Sequence, residues 1–469
     1  MSTATRQALL QSLEAGLHSG FAMEWQAPDP AAGTRIWPGP ALWAWARRLA
    51  SAWRRPSLPQ RPRVAVQVPN SPFYLAAMIA TWMLDGIFCP LPAWRGEQTA
   101  IALDALRPDL FLSHAGGSLE LQRRERADRA IADPADLALM LWTSASLHAP
   151  RVFGLSHAAL GWQLHSHLPL LALQRDSLVR NCLPWTHVFA GVLELLPTLA
   201  SGASLRVAPL ASFRQESFTH LFVVPRVAAL LQDGQIRALA GGIVGGAPIA
   251  AELAERLRGS ALRVGYGQTE AGPGICLGDP GDFRPAFLGR SLVEAEQRGG
   301  TLHYRSPGQA LGEWRAGRWQ PIQHDGWVDS GDRVRCDDDG GWYWLGRRDA
   351  RFVLADGRNV EPELEELRLL GQYPELATLV LGGPGARHSL ALARLQPDLT
   401  AQGEASLRRR WHEPYPLRIA SDGFWDAYLG PSGKVQRGKL YARWQGIVRG
   451  DRDVCTGHGN YAALEEGRA

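Results

Sequence analysis

Lysine is nearly missing from this chain. Of 50 basic residues only Lys434 and Lys439 are lysines, both within the segment PSGKVQRGKL, and arginine supplies the rest. Arginine is planar, always charged and bulky at its tip, whereas lysine carries a compact ammonium on a flexible stem. A lysine kept in a Pro-Ser-Gly-Lys segment is therefore expected to reach something as a point charge. Cysteine is scarce as well. Cys89, Cys182, Cys276, Cys336 and Cys455 are odd in number, widely spaced and form no CxxC pair. This argues against a disulfide framework or a zinc ribbon and for a reducing cytoplasm. Long apolar runs are also lacking: the longest, YLAAMIATWML at 74–84, stops at Asp85 and is too short to span a bilayer, so a buried helix is expected. The opening MSTATRQALLQSLEAGL reads as an amphipathic helix without the apolar core of a signal peptide. Finally, no one sign of charge dominates. The net charge of +4 is spread along the chain, with only short basic clusters at 123–126 and 408–410, expected on solvated helix faces. Neither a nucleic-acid footprint nor a membrane surface is indicated.

What is present is α/β alternation. At 469 residues two or three domains are expected. RVAVQV at 63–68 forms a strand, followed by the turn Pro69-Asn70-Ser71-Pro72, the apolar helix and a further apolar stretch ending in CPLPAW, the pattern of a parallel α/β unit. THLFVVP at 219–225 repeats it, leading to a helix, the turn-rich GGIVGGAPIA at 241–250, a helix to Arg258 and a strand at 261–265. From 300 to 345 short segments separated by Gly and Asp predict a β-rich subdomain. Beyond GRRD at 346–349 come a hairpin-like FVLADGRNV, a helix from Glu361 and a strand at 377–381. The domains predicted are residues 1–348, 349–447 and a tail at 448–469. The pair His165 and His167 lacks a third ligand and is read as a helix surface.

Four segments stand in a telling order: GYGQTE at 265–270, DSGD ending at Asp332, GRRD with Arg347, and PSGK with Lys434. This order resembles the adenylate-forming superfamily, which comprises acyl- and aryl-CoA synthetases, adenylation domains of peptide synthetases, and luciferases. The likeness runs from PNSP at 69–72 to Lys434. It implies a large N-terminal α/β domain with a β-rich subdomain and a small mobile α+β C-terminal domain. It also implies a reaction in which a carboxylate attacks the α-phosphate of ATP, so two anions must be brought together while pyrophosphate leaves. By the resemblance, Tyr266 would stack on adenine, with Gly267 and Gln268 beside it. Thr269 would hydrogen-bond a phosphate and Glu270 would hold Mg²⁺. The backbone of Gly245-Gly246-Ala247-Pro248 would line the adenine edge, Asp332 would accept the ribose hydroxyls, and Arg347 would brace ribose and phosphate. Lys434 would bridge the substrate carboxylate and the α-phosphate.

One stretch departs from the pattern. The family's phosphate loop, approximately YTSGTTGxPKG followed by a histidine, is matched here by WTSASLHAPRV at 142–152 and His157. Thr143, Ser144, Ser146 and Pro150 remain, the three glycines are gone, and Arg151 stands for the lysine. A differently shaped loop is expected, with the arginine still able to contact phosphate. LPWTHVFAG at 183–191 resembles the PxxHxxG element, which would put His187, Val188 and Gly191 at the acyl pocket with Gly265 and Gly272. Amino-acid-activating relatives usually carry an aspartate near this position, and none is present. The expected substrate is a small aromatic, hydroxybenzoate-like acid. Asp349 matches the family hinge and Gly357 the glycine lining the thiol tunnel. The acceptor would be CoA or the phosphopantetheine of an acyl carrier protein, with ATP and Mg²⁺ required. The alternative, from the altered loop, is a nucleotide- or acyl-adenylate-binding scaffold without turnover.

Overall fold

The computed structural model describes residues 2–27, 33–56, 58–94, 96–115, 118–124, 132–143, 151–353, 359–360, 362–383, 389–429 and 435–444. Ser144, Ser146, Gly357, Lys434, Cys455 and the expected tail lie outside them. Among the described residues, 2–143 and 151–344 make one compact unit and 345–444 another.

Two sheets build the first unit. The smaller includes the parallel neighbours Ile87–Pro90, Arg63–Gln67 and Leu110–Ala115. Val64, Ala65 and Val66 are wholly buried there, as β-branched and small residues must be in a strand covered on both faces. The apolar helix expected after this strand is Pro72–Met83. Ser71 caps it, its Oγ accepting from the Tyr74 N–H at 3.2 Å, and proline fills the first turn. Because it is apolar on every side, it is buried on every side. The N-terminal helix Ser2–His18 turns Leu9, Leu13 and Leu17 inward, at the i, i+4 spacing of one helix face.

The larger sheet has thirteen strands. Ala22–Gln26, Ser204–Val207, Leu178–Asn181, His220–Val223, Gly241–Gly245 and Arg263–Gly267 are parallel neighbours. From Gly274–Leu277 onward the pairing is antiparallel. Two expectations change here. GGIVG is a buried strand rather than a turn. Its glycines answer to packing: a Cβ on Gly242 would lie 2.0 Å from the Leu221 carbonyl oxygen, and one on Gly245 2.5 Å from that of Gly265. The β-rich run from 300 to 345 is present, but its strands form no sheet of their own. Thr301–Arg305, Val328–Cys336 and Gly341–Arg347 extend the large sheet, while Gly312–Arg315 and Arg318–Gln320 join the small one. The basic cluster beginning at Arg123 ends a strand, Ser118–Arg123, rather than lying on a helix, whereas Arg408–Arg410 close the helix Ala401–Arg410 on its exposed side.

The second unit has a three-stranded sheet, Leu376–Gly382, Leu390–Leu395 and Leu417–Ile419, packed with the helix Pro362–Gln372. The hairpin-like segment pairs Phe352–Val353 with Asn359–Val360. Arg437, at the start of the helix Arg437–Ala442, forks onto both oxygens of the buried Glu366, whose Oε1 also accepts from the Leu381 N–H at 2.6 Å. An isolated antiparallel bridge joins Leu429 to Val435, the described flanks of Lys434. Lys439 donates to the Ala427 carbonyl at 2.7 Å.

Candidate active site

The strands Arg263–Gly267 and Gly274–Leu277 form a hairpin whose loop carries Gln268, the 3₁₀ turn Thr269–Ala271, and Gly272 at φ +85°. Only glycine suits that last position, where a Cβ would also meet the Gly308 carbonyl oxygen at 1.9 Å. A Cβ on Gly267 would meet the Pro273 carbonyl oxygen at 1.8 Å. The peptide Gly272–Pro273 is cis. Gln163, on the helix His157–His167, clamps this loop: its side-chain amide donates to the Ala271 carbonyl at 2.9 Å and accepts from the Gly274 N–H at 3.3 Å.

Asp332 is the centre of the site. The Tyr266 hydroxyl donates to its Oδ2 at 2.6 Å, the Gln268 amide to the same oxygen at 3.2 Å, and the Trp344 indole to Oδ1 at 3.1 Å. Its own N–H donates to Ser330 Oγ at 3.0 Å. The strands of Tyr266 and Asp332 stand four steps apart in the sheet order, about 19 Å in a flat sheet, so the sheet must curl to bring them within one hydrogen bond. Asp332 is 6% exposed. Burial, then the Asp332 charge, pushes the Tyr266 hydroxyl well above its usual range, so Tyr266 stays a phenol that donates to Asp332. Tyr304, wholly buried on Thr301–Arg305, is shifted the same way, by burial first and then by the charges of Glu270 and Asp332.

Arg151 meets Glu270 at 3.2 Å and Glu313 at 2.7 Å. Thr143 donates its N–H to the Arg151 carbonyl at 2.8 Å, joining the ends of the strands Leu137–Trp142 and Val152–Ser156. Arg347 and Asp349 belong to the second unit. There the Arg347 guanidinium donates to the Asp349 carboxylate at 3.1 and 3.2 Å, and the Arg347 N–H donates to Glu363 at 2.5 Å.

His187 is half-buried, its N–H donating to the Pro184 carbonyl at 3.1 Å, and Val188 leads into a π-helical turn, Phe189–Glu194. Asn70 holds this loop from 111 to 115 residues away: its amide donates to Asn181 Oδ1 at 2.7 Å and the Leu183 carbonyl at 2.8 Å, and its oxygen accepts from the Trp185 N–H at 3.0 Å. Beneath lies Glu194, wholly buried, with Asn181 donating to Oε1 at 2.6 Å and the Trp185 indole at 3.0 Å. Burial pushes its carboxyl up to about 8. The glycines assigned to the pocket are set by close approach: a Cβ on Gly191 would meet the Trp185 carbonyl oxygen at 2.4 Å, and on Gly265 the Ile243 Cγ2 at 2.5 Å. Gly246, with φ +80°, follows the strand that ends at Gly245 and precedes Ala247 and Pro248.

Asn70, Gln163, Glu194, Glu313 and Trp344 were not singled out by the motifs; only PNSP, which contains Asn70, offered a signal. The histidine pair is split by the helix: His165 is exposed, while His167 is buried against Gly274, and burial holds its imidazole down to about 4. Among the described residues no three His, Cys, Asp or Glu side chains converge as a metal cage. Glu270 as the carboxylate at the site fits a magnesium ion shared with nucleotide phosphates. No helix of the described residues is long and apolar enough to cross a membrane.

Comparisons with known proteins bear on the family and the fold. The profile of the family described as AMP-binding enzyme matches residues 39–298, more than half of the chain. A feruloyl-CoA synthase from Amycolatopsis sp is 28% identical over 391 residues, 72% of this chain and 79% of the relative. A long-chain-fatty-acid–CoA ligase, FadD15 from Mycobacterium bovis, is 29% identical over 180 residues, 35% of this chain and 29% of the relative. In fold, the chain is similar to ATP-bound MatB from Rhodopseudomonas palustris, with TM-score 0.72 at 20% identity over 93% of this chain and 99% of that one. It is also similar to the anthranilate CoA ligase AuaEII in complex with anthranoyl-AMP, with TM-score 0.72 at 18% identity over 92% and 96%. The chain belongs to the AMP-binding enzyme family, in the company of acyl-CoA synthetases.

Proposed function

We propose that this protein is an ATP-dependent acid–thiol ligase that activates a small aromatic, hydroxybenzoate-like carboxylic acid as its acyl-AMP and passes the acyl group to CoA or to the phosphopantetheine of an acyl carrier protein. The observation that carries the reading is the buried Asp332, fixed by Tyr266, Gln268 and Trp344, with Glu270 and Arg151 nearby. A carboxyl group held by three donors is preorganised to accept further hydroxyl hydrogens, which suits a ribose. Tyr266 offers the ring for adenine and Thr269 the hydroxyl for a phosphate. In this reading Arg347 would brace the ribose and phosphate and Lys434 would bridge the substrate carboxylate and the α-phosphate, supplying positive charge where electrostatic catalysis has most effect. Glu270 would hold magnesium on the phosphates, and the ion would neutralise charge on the leaving pyrophosphate.

The aromatic acid is supported by the absence of an aspartate in LPWTHVFAG to pair with an α-amine, and by the kinship with feruloyl-CoA synthase. His187, Val188, Gly191, Gly265 and Gly272 are the pocket positions this reading assigns. Incubation with ATP, magnesium, aromatic acids and either CoA or a phosphopantetheinylated carrier protein, read by mass spectrometry, tests the reading. The expected product is an aryl thioester plus AMP, and formation of ADP or of no thioester would count against it.

The hinge assigned to Asp349 gives a second expectation. Proline there fixes φ near −65° and restricts Arg348, whereas alanine removes only the carboxylate that Arg347 holds. Asp349→Pro is expected to keep more adenylation than thioester formation, and Asp349→Ala to keep both. Equal loss of both half-reactions in a folded Asp349→Pro protein would rule out a pivot at this residue.

A further inference from the structure

Arg151 is gripped more tightly than a lone phosphate ligand needs to be. Its Nε and Nη2 both donate to Glu313 Oε2, at 3.0 and 2.7 Å, its Nη1 donates to Glu270 at 3.2 Å, and the guanidinium lies 4.6 Å above the centre of the Phe153 ring. The strand Gly312–Arg315 pairs antiparallel with Val152–Ser156, setting Glu313 opposite Phe153. Just before it, the Ala310 N–H donates to the Glu270 carbonyl at 2.8 Å and the Leu311 N–H to that of Gly154 at 2.8 Å. Residues 310–313 thus tie the turn bearing Glu270 to the strand that follows Arg151. Glu313 is only 8% exposed, and a carboxylate so covered requires a cationic partner.

We infer that Glu313 is a positioning residue for nucleotide binding: it fixes Arg151 through two guanidinium N–H groups so that the remaining Nη1 edge exchanges Glu270 for a phosphate oxygen. The inference rests on the reading of the chain as an adenylating ligase. It also accounts for arginine at this position. A guanidinium can hold Glu313 with one edge, meet an anion with the other and stack on Phe153, and a lysine ammonium cannot do all three.

The sign of the test is informative. Removing a negative charge beside a triphosphate would by simple Coulomb attraction strengthen binding, so weaker binding on loss of Glu313 reports positioning. Calorimetric titration with magnesium and the non-hydrolysable analogue adenosine β,γ-imidotriphosphate is expected to show about tenfold weaker affinity in Glu313→Gln, the size of one charged hydrogen bond. Arg151→Ala should weaken binding by a similar factor, and the double variant no further than Arg151→Ala alone. Glu313→Asp, which keeps the charge but draws the carboxylate back, should also lose affinity, with unchanged KM for the acid. Binding by Glu313→Gln as tight as wild type, or an additive double variant, overturns the inference while leaving adenylation in place. Failure of the wild-type protein to bind the analogue overturns both.

Discussion

Lys434→Arg is expected to lose adenylation almost as completely as Lys434→Ala, although the charge is kept. The position proposed for Lys434 is where oxygens of the substrate carboxylate and the α-phosphate converge. Three rotatable donors on a compact head can serve both anions, whereas a planar fork is fixed to one geometry. Loss of a preorganised charge contact at a transition state costs about 3–4 kcal/mol, or roughly 10²–10³ in rate. The defect should be confined to the first half-reaction: supplied with chemically made acyl-adenylate and thiol, the variant should still form thioester at near wild-type rate. Lys439→Arg is the control. Lys439 bonds a backbone carbonyl, which a guanidinium serves equally well, so both half-reactions should be unchanged. Full pyrophosphate exchange by Lys434→Arg would remove the lysine from the proposed chemistry.

Glu194 is expected to make stability fall as pH rises. Its carboxyl sits at about 8 in the folded protein, against 4.5 in an exposed glutamate, because burial disfavours the charged form. The folded state therefore holds a proton that the unfolded chain has lost between these values. Stability from this group is complete below the unfolded value and declines as pH climbs to the folded one, by at most about 1.4 kcal/mol per pH unit. Glutamine has no such proton and keeps an oxygen for Asn181 and Trp185. Glu194→Gln should thus show a flatter decline in melting temperature from pH 5 to 8.5 than the wild type, whatever its absolute stability. Parallel pH profiles for the two proteins would mean that Glu194 is ionised in the fold. Since the same carboxyl braces the loop of His187, a rise in KM for the acid over this pH range is expected in wild type alone.

The parts of the site that were legible in the sequence are local. GYGQTE and DSGD compress a ring, an amide and carboxylates into short segments, so their residues read as a set without knowledge of the fold. The parts that were not legible are made by contacts at long range. Asn70 reaches a loop more than 110 residues away, and Glu313 meets Arg151 across 162 residues, pairings that no spacing rule announces. The glycines of GGIVG suggested a turn because glycine is permissive, yet at Gly242 and Gly245 it is needed for the close approach of neighbouring strands. His167 looked like a surface residue beside His165, but two steps along a helix turn a side chain by about 200°, from solvent to core. For the β-rich segment, the Gly and Asp turns marked off the strands but not their partners, since register depends on the sheets they join.

The claim that this chain adenylates an aromatic acid is tested most directly by ATP–pyrophosphate exchange, measured with the wild-type protein across a panel of benzoates, hydroxybenzoates and cinnamates set against alkyl acids of increasing length. The account predicts acid-dependent exchange that is strongest with a hydroxylated aromatic acid and lost in Lys434→Ala. Exchange strongest with a long alkyl acid would contradict the substrate class, and no exchange with any acid from the folded protein would contradict catalysis itself and favour a nucleotide-binding scaffold.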